Sequence, residues 1–305
     1  MKRAFLFTGQ GSQFAGMGKD LAERFPAARD VFAEADSVLG EPLSKLCFEG
    51  PEEALGLTTN TQPATLAVSL AAFRALGMAP DLAAGHSLGE YSALTAAGTF
   101  TLADALRLVR ARARAMQEAV PVGTGGMVVL RKMSADEVVA LVAQVTAGTC
   151  DVANYNEPEQ TVVSGSMAAM DQVMAIAPPR KALKLNVSVP FHSSLLQPAA
   201  AQFARVLGGV AMKDPAFPVW SNVDAVPNTT AAAARGALER QFAGSVRWQQ
   251  IVEGMLGAGV RHFVECGPKA TLVNMVKRIA QAKGVEGVET FAATTADEIA
   301  ALAAR

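Results

Sequence analysis

Residues 85–89 read Gly-His-Ser-Leu-Gly, after an apolar run over residues 78–84 and before a helical pattern over residues 88–97. Small residues at both ends allow a strand to turn sharply into a helix, which lifts Ser87 out of the backbone. The helix N-terminus leaves N–H groups unpaired beside that serine, and such groups suit a developing oxyanion. The stretch predicts a nucleophile elbow in an α/β fold. The alternative is a glycine-bounded turn that carries an ordinary serine.

Composition describes a compact globular chain. It has 305 residues, of which 50% are hydrophobic and 18% charged, enough for one large domain or two unequal ones. The net charge of −1 gives no basic surplus, so we expect neither nucleic acid nor membrane as a partner. No apolar run is long enough for a signal peptide or a membrane span. Three widely separated cysteines predict no disulfide framework and no zinc site, and they favour the cytoplasm.

Apolar strands that alternate with helices predict a parallel sheet covered by helices on both faces. A first strand over residues 4–7 ends in a glycine-rich turn over residues 8–12. Helical patterns follow over residues 18–35 and 62–76, and later strands are expected near Val219 and over residues 262–265. The predicted class is therefore α/β, with a hydrolase-like large domain.

The order of predicted strands and helices changes in the middle of the chain. Strands, helices and turns there follow the order βαββαβ, which is the ferredoxin-like unit. The strands are expected at residues 127–130, 151–155, 161–165 and 182–187, and the helices at residues 134–145 and 168–176. Glycine and proline clusters bracket the unit. The sequence thus predicts a small subdomain, residues 125–188, inserted into a large domain formed by residues 1–124 and 189–305.

A serine hydroxyl needs a base, and the chain has only three histidines. His86 adjoins Ser87 on a tight turn, where neighbouring side chains tend to point apart. His262 lies in an apolar run, where a structural role is equally expected. His192 follows a proline in a loop at the edge of the inserted unit, and clefts between domains favour active sites. His192 is the predicted base; a hydrogen-bonded loop histidine is the alternative.

Arg112 stands out on a predicted helix over residues 101–119, with Thr101 as its N-cap. Other arginines of this helix cluster on its polar face, whereas Arg112 lies along the edge of the apolar stripe. A guanidinium turned inward keeps its charge and needs an anion. That anion is either an internal Asp or Glu, or a carboxylate of the substrate held in a bidentate manner.

The loop Gly9-Gln10-Gly11-Ser12-Gln13 directly follows the first strand. At the carboxyl end of a strand in an open sheet, such a loop can line a cleft. It lacks the spacing of the dinucleotide and P-loop motifs, so nucleotide binding is a poor fit.

Taken in order, segments of nearly the whole chain resemble the malonyl-CoA:acyl carrier protein transacylases of fatty acid synthesis and the acyltransferase domains of polyketide synthases. The ordered set, rather than any single piece, carries the resemblance. Its members are Gly9-Gln10-Gly11-Ser12-Gln13, Thr61-Gln62-Pro63-Ala64, Gly85-His86-Ser87-Leu88-Gly89-Glu90-Tyr91-Ser92, Arg112, Met116-Gln117-Glu118-Ala119, Asn154-Tyr155-Asn156, Val189-Pro190-Phe191-His192, Ser221-Asn222-Val223-Asp224 and Cys266-Gly267-Pro268.

The resemblance implies the catalytic roles. Ser87 would carry the acyl group, His192 would be its base, and Arg112 would bind the malonyl carboxylate. The N–H groups of Gln10 and Leu88 would form the oxyanion hole.

The same resemblance implies the supporting residues. The backbone carbonyl of Gln241 would orient the histidine, and Gln62, Asn156 and Asn222 would line the pocket. Phe191 would leave little room for a 2-methyl branch. Thr8 departs from the family, which often has proline there.

The implied enzyme takes malonyl-CoA and acyl carrier protein as substrates and is expected to be a monomer without metal or other cofactor. Four alternatives stay open from the sequence. The chain could be a standalone polyketide acyltransferase or a malonate-decarboxylase subunit. It could be a serine thioesterase with an acidic third member and a late histidine such as His262. It could also be a non-catalytic subunit that only docks acyl carrier protein.

Overall fold

The computed structural model describes residues 2–121, 123–187 and 189–304. The strands of this described part form two sheets. The strands are β1 (Lys2–Phe7), β2 (Leu82–Gly85), β3 (Gly125–Arg131), β4 (Cys150–Glu157), β5 (Gln160–Ser166), β6 (Ala182–Lys184), β7 (Val219–Trp220), β8 (Pro227–Asn228), β9 (Val260–Cys266) and β10 (Glu289–Ala293).

Helices cover both sheets, and a short 3-10 helix lies at Ser194–Leu196. The α-helices are α1 (Lys19–Arg24), α2 (Pro26–Leu39), α3 (Leu43–Glu49), α4 (Glu52–Gly56), α5 (Thr58–Leu76), α6 (Leu88–Ala96), α7 (Leu102–Glu118), α8 (Ala135–Val142), α9 (Met167–Ile176), α10 (Gln197–Gly208), α11 (Ala231–Gln241), α12 (Trp248–Gly257), α13 (Leu272–Ala282) and α14 (Ala296–Ala303). No helix among the described residues combines the length and apolarity that crossing a membrane requires.

The large sheet has the order β10-β9-β1-β2-β7-β8, and its strands are parallel except for the β7–β8 pair. β1 is buried on both faces because its side chains alternate between two cores. Phe5 and Phe7 pack into one hydrophobic cluster, and Ala4 and Leu6 pack into the other. The predicted α/β class with a helix-covered parallel sheet is confirmed.

The carboxyl ends of β1 and β2 lie side by side, since Phe7 pairs with Gly85. The helix α6 starts so close to this edge that two positions tolerate no side chain. A Cβ on Gly85 would lie 1.9 Å from the carbonyl carbon of Gly89, and a Cβ on Gly89 would lie 2.0 Å from the carbonyl oxygen of Phe7. The glycines that predicted the elbow are therefore required by close backbone packing.

The second sheet is antiparallel with the order β4-β5-β3-β6. Its elements follow each other as βαββαβ, and that strand order is the one expected of a ferredoxin-like unit. Its own core includes Val128, Leu130 and Val163. The domain limits stay a prediction, and residues 1, 122, 188 and 305 of the predicted ranges lie outside the described residues.

Hydrogen bonds near β4 tie the small sheet to the segment between α11 and α12. The Tyr155 N–H donates to the carbonyl of Val246 at 2.8 Å, and the Val246 N–H donates to the carbonyl of Ala153 at 2.8 Å. The Ser245 hydroxyl donates to the carbonyl of Val152 at 2.6 Å. These contacts hold the small sheet over the carboxyl edge of the large one.

Several element boundaries differ from the prediction by a few residues; α5, for example, begins at Thr58 rather than at residue 62. The helix expected over residues 18–35 is two helices, α1 and α2, because Pro26 starts a new helix at its first position. The strand expected over residues 182–187 is shorter and ends at Lys184, although the Leu185 N–H still donates to Met127.

Candidate active site

Ser87 occupies the turn between β2 and α6 with φ 51° and ψ −105°. This conformation is strained for a residue with a side chain, so its surroundings must impose it. Asn222 Oδ1 accepts from the Ser87 N–H at 2.6 Å, and Asn222 Nδ2 donates to the carbonyl of Gly85 at 2.7 Å. Gln241 Nε2 donates to the Ser87 carbonyl at 2.8 Å. Two buried amides thus hold the elbow on both sides.

His192 faces the serine from the loop that follows the small sheet. Its Nε2 lies 2.8 Å from Ser87 Oγ, and its Nδ1 lies 2.9 Å from the carbonyl oxygen of Gly244. The carbonyl assigns the proton to Nδ1, so Nε2 is free to accept the serine proton. The predicted orienting carbonyl of Gln241 also acts on the ring, but it is not the nearer one, and its role stays a prediction. The hydrogen bond is made by Gly244, three residues further along the chain, and the Gln241 carbonyl raises the pKa of the ring by less.

The environment keeps His192 neutral. Burial lowers its pKa to about 3, with smaller contributions from the charge of Arg112 and from His86. A neutral imidazole beside a serine hydroxyl can act as a general base without first losing a proton. Ser87 and His192 are thus placed as a nucleophile and its base would be, and no carboxylate of the described residues contacts the ring.

Arg112 lies on α7 with only 1% of its surface exposed. Its Nη1 donates to Gln62 Oε1 at 3.0 Å, and its Nη2 donates to Gln241 Oε1 at 3.0 Å and to Ser87 Oγ at 3.2 Å. The guanidinium also lies 5.2 Å from the centre of the Tyr91 ring. It forms no ion pair with a carboxylate of the described residues. Of the two anions left open by the sequence, an internal ion-pair partner is therefore not found.

The four predicted pocket residues separate into two groups. Asn156 and Phe191 line the cavity. Gln62 and Asn222 do not, because both are buried behind it, at 1% and 0% exposure. Their predicted position is corrected accordingly: Gln62 supports Arg112, and Asn222 supports the elbow.

The predicted oxyanion donors lie after the carboxyl ends of two neighbouring strands. Gln10 lies in the loop after β1, and Leu88 is the first residue of α6. Both line the cavity, and no described residue accepts a hydrogen bond from either backbone N–H. The Ser12 hydroxyl donates to the Gly9 carbonyl at 2.8 Å and so fixes the first loop. Two N–H groups are thus available beside the nucleophile.

The cavity above Ser87 has a volume of about 850 Å³, which suits a substrate of cofactor size. On the side of the large sheet, the connections after β1 and β2 contribute Gln10, Ser87 and Leu88 to the wall of the cavity. The small sheet contributes Met127 and Val162. The site lies between the two sheets, and its side nearer the small sheet combines apolar residues with Asn154 and Asn156.

The sequence reasoning assigned no role in the site to two polar residues near it. His86 lines the cavity, its Nε2 lies 2.8 Å from Asn156 Oδ1, and burial lowers its pKa. Glu90 is fully buried on α6, and burial raises its pKa to about 7. A usable signal existed for Glu90: it is the one charged residue between residues 82 and 103. The third histidine, His262, lies on β9 beside Glu289 and does not line the cavity.

Comparison with known proteins supplies a family. Residues 4–298 match the model of the acyl transferase domain family. A malonyl CoA-acyl carrier protein transacylase of Bacillus subtilis is 43% identical over 91% of this chain and 90% of that protein. The solved transacylase of Coxiella burnetii superposes with a TM-score of 0.95 at 36% identity, covering 100% of this chain and 98% of that one. A malonyl-transacylase solved with its type II polyketide acyl-carrier protein has a TM-score of 0.93 at 40% identity, covering 100% and 99%.

Proposed function

The chain belongs to the acyl transferase domain family, and on that premise we propose that it moves a malonyl group from malonyl-CoA to the phosphopantetheine thiol of acyl carrier protein. One observation carries the choice of acyl group. The buried Arg112 guanidinium contacts Ser87 Oγ at 3.2 Å and has no ion-pair partner among the described residues. An acyl group that ends in a carboxylate supplies that missing partner.

In the first half-reaction, Ser87 Oγ attacks the thioester carbonyl carbon while His192 Nε2 takes the hydroxyl proton. The carbonyl oxygen becomes an oxyanion, which accepts from the N–H groups of Gln10 and Leu88. Each such donor is worth about 3 kcal/mol in the transition state. The C–S bond then breaks, and His192 returns the proton to the sulfur of coenzyme A. The product is an ester of malonate on Ser87.

The second half-reaction runs through the same groups. His192 takes the proton of the phosphopantetheine thiol, and the sulfur attacks the ester carbonyl. The C–O bond breaks, and His192 returns the proton to Ser87 Oγ. Arg112 holds the far carboxylate throughout, which aligns the ester for attack by the thiol.

The thioesterase alternative is disfavoured by the position of the histidines. It required a late histidine such as His262, which pairs with Glu289 on the sheet and lies outside the cavity lining. A purely docking subunit would need neither a serine–histidine contact at 2.8 Å nor an arginine directed at the serine. Both features support a catalytic role.

The proposal also takes the protein to be a cytoplasmic monomer that uses no cofactor. The three cysteines are unpaired, which supports a reducing compartment.

Mass spectrometry of the intact protein tests the proposal. Brief incubation with malonyl-CoA should add one malonyl group, located at Ser87, and added holo acyl carrier protein should take it up. Ser87→Ala should show no mass gain while its circular dichroism stays that of the wild type. A malonyl group that is lost equally fast with and without carrier would indicate a thioesterase instead. A malonylated Ser87→Ala would move the nucleophile elsewhere.

A further inference from the structure

Glu90 is a buried carboxyl group that the reaction as described does not use. It lies on α6 three residues after the nucleophile, with 0% of its surface exposed. Burying a carboxyl group is costly unless its oxygens find donors. The position of a fully buried acid next to a nucleophile elbow therefore needs an explanation.

The contacts of Glu90 lead to the two amides that hold the elbow. Its Oε2 accepts from Gln241 Nε2 at 2.9 Å and from the Asn222 N–H at 3.1 Å. Its Oε1 has no hydrogen-bond partner among the described residues. The Glu90 carboxyl group makes no hydrogen bond to Ser87 or Arg112, so its hydrogen-bonded path to them runs through a neighbour.

Gln241 is that neighbour, and its amide has a donor side and an acceptor side. The Nε2 group donates to Glu90 and to the Ser87 carbonyl, and Oε1 accepts from Arg112 Nη2. Turning the amide over would direct its NH₂ group at the guanidinium and its oxygen at the carboxyl oxygen of Glu90. The contact with the guanidinium would then be repulsive, and so would the contact with Glu90 when that carboxyl group is ionised. The carboxyl group thus decides which face of Gln241 meets Arg112.

We propose that Glu90 is a positioning residue, which fixes the Gln241 amide so that Arg112 is held in place with donors left for the acyl carboxylate. The inference rests on the proposed function, because it concerns the preference for malonyl over acetyl groups. An acid in direct contact with Arg112 would occupy the same donors that the substrate needs. The interposed amide supports the guanidinium through a neutral acceptor instead.

The test compares two replacements of nearly equal size. Glu90→Gln keeps an oxygen that can accept from Gln241, whereas Glu90→Leu removes the acceptor. The measured quantity is the ratio of the Ser87 acylation rate constants with malonyl-CoA and with acetyl-CoA. We expect Glu90→Leu to lower this ratio about tenfold or more, the size of a lost hydrogen bond to a charged network. We expect Glu90→Gln to keep it within about threefold.

Selectivity is the readout because a merely structural role would lower both rates together. Equal losses with both donors, or an unchanged ratio in a folded Glu90→Leu protein, would overturn the inference. Wild-type protein that forms no malonyl-serine would instead overturn the proposed function, so the two failures are distinct.

A second variant covers the case in which Glu90→Leu does not fold. The exchange Glu90→Gln with Gln241→Glu keeps size and total charge but puts the carboxylate in contact with Arg112. We expect malonyl transfer to fall about 100-fold or more, and acetyl transfer to fall less, because the new ion pair competes with the substrate. A ratio equal to that of the wild type would overturn the inference.

Discussion

At the residue scale, the site depends on the positive charge of Arg112, which the protein holds in place without a direct ion pair. Arg112 donates hydrogen bonds to Gln62 and Gln241, which are uncharged. Its Nε is buried without a hydrogen-bond partner among the described residues. A substrate carboxylate therefore meets a guanidinium whose own ion pair is still to be made.

Replacing Arg112 should lower acylation by malonyl-CoA and by acetyl-CoA to different extents. We expect Arg112→Ala to lower acylation by malonyl-CoA about 100-fold or more, since it removes the partner of the carboxylate. Acylation by acetyl-CoA, which has no carboxylate, should fall less than about tenfold. Acylation reactions with malonyl-CoA and with acetyl-CoA, quenched after defined times, measure the two losses. Equal losses would show that Arg112 only stabilises the elbow.

His192 should stay a base far into the acid range. Its pKa is lowered to about 3 by burial and by Arg112, so its proton-accepting form persists where an exposed imidazole would be charged. We expect kcat/KM for malonyl-CoA to lack an acid limb near the ordinary histidine pKa of about 6.5. A pH profile over the stable range measures this, with Arg112→Ala as a comparison. A limb near pH 6.5 in the wild type would contradict the lowered pKa.

At the element scale, the junction of β1, β2 and α6 determines where the catalytic groups lie. It brings the loop after β1 beside the elbow because the two strands are parallel and in register. It leaves no volume at Gly85 and Gly89. Packing at this junction is backbone against backbone, so it cannot relax by moving a side chain.

Gly89→Ala should therefore be severe. Its Cβ would lie 2.0 Å from the Phe7 carbonyl oxygen, and relieving that clash requires moving α6 or β1. We expect a loss of about 3 kcal/mol or more in the free energy of unfolding, measured by urea denaturation. Gly208→Ala is the matched control, because a Cβ added to this helical glycine would meet nothing within 4 Å. It should be neutral or stabilising by up to about 1 kcal/mol. Equal effects would contradict the packing argument.

The sequence predicted these elements best where a single physical rule governs them. The elbow, the βαββαβ order and the inward Arg112 each followed from spacing. The contacts of His192 did not, because its partner Gly244 is 52 residues away and offers only a backbone carbonyl. Gln62 and Asn222 were placed near the site, but sequence spacing cannot tell a residue that lines a cavity from one that supports its wall.

At the scale of the whole molecule, buried acids make stability depend on pH. Burial raises the pKa of Glu90 from 4.5 to about 7, although Gln241, Asn222 and Arg112 oppose the shift. The folded protein therefore holds a proton that the unfolded chain releases between those values. Glu90 thus costs stability as pH rises from 4.5 to about 7.

Glu90→Gln should remove that pH dependence. Relative to wild type, we expect the variant to gain stability as pH rises through this window, by on the order of 3 kcal/mol in total. Urea unfolding of both proteins at several pH values measures the difference. A difference that does not change with pH would mean that Glu90 titrates at its ordinary pKa.

The register of β1 and β2 has a consequence for how such a protein can change over time. The two proposed oxyanion donors are main-chain groups that follow neighbouring strands, and such strands lie about 4.8 Å apart. Replacing side chains leaves that spacing as it is. Under the proposed function, selectivity depends in contrast on side chains such as Arg112 and Phe191. The reaction and the preferred acyl group can therefore change independently during evolution. A few substitutions suffice to change the preferred acyl group while the reaction itself persists.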